Sequence, residues 1–151
     1  VECPLCRHRF NVAKTRKSRS IEQHRRFFAL CAAAFHHWPE THDEQFSTVH
    51  ELRAWLTMKA GFRDEVARIP LADMDVDKAR SLAAAAIKAA GSHAAVRAHN
   101  GLIVVFKPRS IQFDKMKHLD FCALNEAVAD VINAELHLTA DELLQQHEMA
   151  K

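Results

Sequence analysis

From residue 21 onward, apolar side chains recur at spacings of three and four, and the period breaks at only a few marked places. In KSRSIEQHRRFFALCAAAFHHW, Lys17 to Trp38, the residues Ile21, His24, Phe28, Cys31, Phe35 and Trp38 lie along one helical stripe, widened by Phe27 and Leu30. Ser18 or Ser20 offers a hydroxyl to cap the first turn, and Pro39 ends the pattern. Residues 39–46, PETHDEQF, read as a loop. A second helix is predicted from Thr48 to Lys59, with Ser47 as cap, Val49, Leu52, Trp55 and Leu56 on its packed side, and Gly61 as its end. Residues 62–71 hold scattered β-branched residues and a proline, and read as extended or irregular.

DMDVDKARSLAAAAIKAAG predicts a third helix, capped by Asp73 or Asp75 and ending at Gly91. Its inward band is expected to be Val76, Ala79, Leu82, Ala83, Ala86 and Ile87. The period then changes. Residues 94–107 predict a β-hairpin about Asn100–Gly101, a dipeptide suited to the positive φ values of a two-residue turn. LIVVF is uniformly apolar, so part of that strand should be covered on both faces. A long helix follows, with Phe121, Leu124, Val128, Val131 and Ile132 on one side. Thr139 and Glu142 then form a capping box, flanked by Leu138 and Leu143 as a hydrophobic staple. The fold class is α+β: a mainly helical single domain with one β-hairpin near residues 94–107. Residues 1–16 read as a basic N-terminal segment carrying a Cys pair, and residues 17–151 as the helical domain.

Charge changes this picture more than composition does. The net charge of +2 hides an asymmetry: residues 1–30 hold eight Lys or Arg against two acids, and the rest holds 13 basic and 17 acidic side chains. A basic end on an acidic body suits phosphates. Eleven His could add positive charge slightly below neutrality. No apolar run has the length of a membrane span, and no signal peptide is visible. Four Cys are too few for a dense disulfide framework, so buried thiols in the cytoplasm are expected.

Cys3 and Cys6 have metal-ligand spacing and make a candidate structural zinc site, completed by His8, His24, His36, His37 or His42 folding back. The plainer alternative is two thiols that can oxidise to each other; no cofactor is otherwise required. The chain has no Gly-rich phosphate loop, HExxH or GxSxG motif. Asp73, Asp75 and Asp77 could hold magnesium for phosphodiester cleavage, but their place at a helix start equally suits capping. The basic entry carries the stronger expectation. Lys14, Arg16, Lys17, Arg19, Arg25 and Arg26 would line a surface that binds DNA or RNA in a salt-sensitive, largely sequence-neutral way. Against this stands an ordinary solvated charge run. Lys107 and Arg109 are candidate secondary contacts, and Phe27 or Trp38 could stack on a base or, more simply, fill the core.

Three segments carry a family resemblance. RSIEQHRRFFALCAAAF (Arg19 to Phe35), ELRAWLTMKAGF (Glu51 to Phe62) and FKPRSIQFDKMKHLDFCALNEAVADVI (Phe106 to Ile132) resemble the patterns of small phage-encoded proteins. These are the phage recombination-mediator (Orf-like) DNA-binding family and related phage proteins of unassigned function. The resemblance implies a non-catalytic, homodimeric accessory protein for recombination or replication in the host cytoplasm. Such a protein would bind single-stranded or branched DNA alongside a single-strand-binding or recombinase protein, with Arg19, Gln23, Arg25 and Arg26 in the shared signature. The Cys3/Cys6 start and the alanine-rich helix depart from that pattern. Two other readings remain open: a protein-binding inhibitor or adaptor, and a metal-dependent nuclease.

Overall fold

The computed structural model describes residues 21–91, 93–112 and 114–150. Helix α1 is Ile21–His36, α2 Val49–Lys59, α3 Val76–Ala90, α4 His118–Leu136 and α5 Ala140–Met149. Strands β1 (Arg63–Pro70), β2 (Ala95–His99) and β3 (Leu102–Pro108) form one antiparallel sheet in the order β1-β3-β2. The fold is α+β and mainly helical, as the apolar period implies. The candidate caps Ser18 and Ser20 lie outside the described residues.

The main core sits among α1, α2, α4 and α5. Phe27, Leu52, Leu56, Phe121, Leu124, Val128, Ile132 and Leu143 are all fully buried there. Phe27 and Phe121 meet edge to face with ring centroids 5.5 Å apart, which adds a favourable quadrupole geometry to their burial. The buried side of α1 is centred on Phe27, Leu30, Cys31 and Ala34; Phe28 and Phe35 lie half-buried at its flank, and Ile21 is exposed. The stripe is therefore turned by about one position from the sequence expectation, because α5 packs on α1 beside α2 and α4.

Local chemistry sets the other helix ends. Thr48, rather than Ser47, caps α2 by accepting from the Glu51 N–H, while the Glu51 carboxylate accepts from the Ser47 N–H at 2.7 Å. Asp75 caps α3 by accepting from the Lys78 N–H at 2.8 Å. Thr139 and Glu142 form the expected reciprocal box on α5, with Leu143 fully buried and Leu138 packed against the core.

The sheet has one strand more than the sequence predicts. Residues 63–70 pair along β3, and the ladder is extended by the Arg109 N–H donating to the Phe62 carbonyl at 2.9 Å. A bulge between Glu65 and Ala67 breaks the alternation that would have marked β1 as a strand. The hairpin turn is as expected, with φ of 48° at Asn100 and 72° at Gly101.

Cross-strand partners share a face, so the register divides the sheet in two. One face carries Ile69, Val105, Ile103 and Val96, and α3 packs on its β1 and β3 strands through Ala79 and Ala83. Only alanines point inward: Val76, Leu82 and Ile87, expected in the inward band, are exposed at 70%, 42% and 37%. The other face carries Arg63, Glu65, Arg68, Arg97, Val104 and Phe106; Glu65, Arg68 and Arg97 on it are exposed, and α2 flanks it near Phe106.

Replacing Phe121 by Ala should lower unfolding free energy by about 3–5 kcal/mol, read from denaturant midpoints, because the core around it collapses only partly. Thr139→Ala should cost about 1 kcal/mol in the same assay.

Candidate functional site

Where α2 and the residue 37–48 loop rise beside the uncovered sheet face, they enclose a cleft of about 410 Å³. Its floor is the sheet: Phe106 on the central strand, Arg63 and Arg97 on the strands either side. The Arg63 guanidinium lies 4.8 Å from the centre of the Phe106 ring, a cation–π contact that holds its planar face over the strand. Neither Arg63 nor Arg97 has an ion-pair partner among the described residues.

The side wall is built on Trp55. Trp38 and Phe46 meet it at 5.6 Å and 5.5 Å, and Lys59 Nζ lies 4.4 Å from its ring centre. Glu135 near the end of α4 closes the wall by binding Lys59 and by a 2.8 Å contact to Nε2 of His42. The hydrogen bond from Lys59 leads, and with that from His42 holds the Glu135 carboxyl below the usual Glu range. At the other ring nitrogen, His42 Nδ1 accepts from the Glu44 N–H at 2.9 Å. Trp38 Nε1 donates to the Glu44 carbonyl at 2.9 Å, so the loop bearing Asp43 and Glu44 is tied down from two sides.

The bulge in β1 also places charge. It lets Glu65 and Arg68, three apart in a strand, fall on the same face, where Arg68 grips Glu65 through two 3.0 Å bonds. That pair is solvent-exposed and does not line the cleft, although Glu65 lies directly opposite Phe106 in the ladder.

The residues expected from the sequence are distributed differently. Lys14, Arg16, Lys17 and Arg19 lie outside the described residues. Gln23 is buried and donates to Cys122 Sγ at 3.5 Å, so its amide belongs to the helix packing and not to an outer surface. Arg25 is exposed, while Arg26 pairs with Asp141 at 2.5 Å. Lys107 is exposed, and Arg109 sits 3.6 Å from Asp64 and over the Phe62 ring. α1 packs chiefly on α5, α2 and α4, whereas β3 packs on its strand neighbours, α2 and α3, so the two basic groups belong to different layers. Phe27 is core, and Trp38 is part of the Trp55 wall. Asp75 caps α3, and Asp77 faces Arg80 at 4.0 Å.

The structural zinc expected from Cys3 and Cys6 is corrected. Among the described residues no three His, Cys, Asp or Glu side chains gather to hold a metal ion. The histidines that would complete a tetrahedral set are dispersed: His24 packs on Phe28 and Phe121, His36 stacks on His147, and His42 faces Glu135. Cys3, Cys6 and His8 lie outside the described residues. Cys31 and Cys122 are buried thiols, and burial pushes the Cys31 thiol up to about 12 against a smaller opposing pull from Arg53. Among the described residues no helix is long and apolar enough to cross a membrane.

No family model matches the chain, and no curated protein or solved structure matches it at a significant level. The likeness to phage recombination mediators therefore rests on the three segments that carry it. The cleft itself was not legible in the sequence, since its residues come from six elements. The signals that could have pointed to it are Arg63 at the start of β1, Arg97 at the middle of β2, and the aromatic Phe106 in an otherwise aliphatic run.

Two outcomes follow from these groups. Glu135 is depressed in the folded state, so the stability it contributes is present above its ordinary pKa of 4.5 and is lost as pH falls through the lower folded value. Glu135→Gln should reduce stability near neutrality and flatten the acid limb of a urea-midpoint series below that pH. For Cys31, the raised thiol pKa gives a contribution that is present below 9.0 and lost as pH rises towards about 12. In native protein at mildly alkaline pH, Cys31 should resist a thiol reagent that modifies it readily after unfolding.

Proposed function

We propose that the protein is a non-catalytic nucleic-acid-binding accessory protein that takes a single strand across the uncovered face of its sheet. The observation that carries this reading is the diagonal of Arg63, Phe106 and Arg97 across one face of three neighbouring strands, with both guanidinium groups lacking an ion-pair partner among the described residues. Single strands are held by cations that track the backbone and by flat groups on which bases stack, and an antiparallel sheet spaces such groups regularly. The basic stretch Lys14, Arg16, Lys17 and Arg19, with Arg25, adds a salt-sensitive attraction for phosphates.

The resemblance to phage recombination mediators supports the same reading, and we propose a role in recombination or replication within the host cytoplasm, beside a single-strand-binding or recombinase protein. A homodimer would extend so small a surface along a strand. A protein-directed adaptor is the second reading, favoured by the exposed Val76, Leu82 and Ile87 of α3. A stable complex with a protein, together with no affinity for nucleic acid, would select it.

The test is salt-resolved fluorescence anisotropy with a short labelled single strand. The double variant R63E/R97E should bind at least about tenfold more weakly and show a salt slope shallower by about one to two. Equal affinity of wild type and R63E/R97E would remove the sheet face from the mechanism. A further loss in R25E would assign α1 a share in the same surface.

A further inference from the structure

We infer that the cleft is a subsite for one nucleotide of the bound strand, selective for bases that carry an exocyclic amine. This rests on the single-strand reading above. The two sides of the cleft carry opposite charge and remain apart. On the floor are Arg63 and Arg97; across from them are Asp43 and Glu44, which also have no ion-pair partner among the described residues. The third acid, Glu135, is already taken by Lys59 and His42. A cleft that separates opposite charges in this way is complementary to a ligand with an anion at one end and hydrogen-bond donors at the other.

A nucleotide with an amine-bearing base has that polarity. Its phosphate suits the forked donors of Arg97, and its base can stack on the Arg63 guanidinium, itself layered on Phe106 at 4.8 Å. The base edge then meets Asp43 and Glu44. A carboxylate accepts from the amine of cytosine or adenine and is repelled by the carbonyl oxygen that thymine presents at the same position. The acids are held in place for this task by their backbone: the Glu44 N–H donates to His42 Nδ1, and the Glu44 carbonyl accepts from Trp38. The volume of about 410 Å³ lies within the range that encloses a small organic ligand.

The experiment compares labelled oligo-dC, oligo-dA and oligo-dT with wild type and with the double variant D43N/E44Q. Both side chains are exposed and make no ion pair among the described residues, so this variant leaves the core intact. Wild type should bind oligo-dC and oligo-dA about tenfold more tightly than oligo-dT. In D43N/E44Q the ratio should shrink to about twofold or less, whatever happens to overall affinity. Equal affinities for the three oligomers in wild type, or a preference that survives D43N/E44Q, would overturn the subsite and leave the sheet-face reading standing. Failure of wild type to bind any of them at low salt would overturn both.

Discussion

Phe27 and Phe121 hold the helical layer together, and the placement of the remaining elements follows from their contact. Each is fully buried, and their rings meet edge to face at the centre of the contacts that join α1 to α4. With those helices fixed, α2 docks through Leu52 and Leu56, and α5 closes the open side through Leu143. Among the described residues the sheet meets the helical layer chiefly through α2, and the turn at Phe62, whose carbonyl accepts from the Arg109 N–H, ties β1 to the end of β3. A sheet joined in this way and covered by one alanine-rich helix must leave part of its surface to water.

That incomplete cover explains the electrostatics. Beside the sheet, Glu135 and His42 are partly buried and Lys59 is half-exposed, and Glu135 joins the two into one cluster. Beside the same floor, Glu65 and Arg68 face solvent, where such a pair contributes little to stability. The cleft lies at the boundary between these regimes. It combines a rigid aromatic wall, Trp55 backed by Trp38 and Phe46, with guanidinium groups that the protein's own carboxylates leave available.

Much of the fold was legible because its signals are local. Thr139 and Glu142, Asp75, and Asn100–Gly101 announce their structures within four residues, and the long helix near the C-terminus carries an unbroken apolar side. The losses have a common physical cause, which is that faces are chosen by neighbours. β1 was read only as extended because its bulge erases alternation and its pairing partner lies some forty residues away. On α3, Val76, Leu82 and Ile87 fit a helical band, but the sheet accepts only the small side chains of Ala79 and Ala83. Gln23 matched a polar signature and is buried against Cys122. The zinc expectation fails on the same ground, since histidines spread along the chain converge only if the fold directs them together, and it directs them to separate partners. The cleft, assembled from distant segments, left no continuous mark at all.

The extra residue at Val66 governs more than the shape of one strand. Side-chain direction in a strand is a matter of parity, so a single insertion inverts everything on one side of it relative to the other. Were β1 instead to pair regularly with Val66 kept in the ladder, Val66 would face Phe106, Arg63 and Glu65 would turn as a block toward α3, and Asp64 would take the Arg63 place opposite Pro108. The sign of charge at the floor of the cleft is thus set by whether one residue is looped out of the ladder, a matter of pairing as much as of which amino acids touch it.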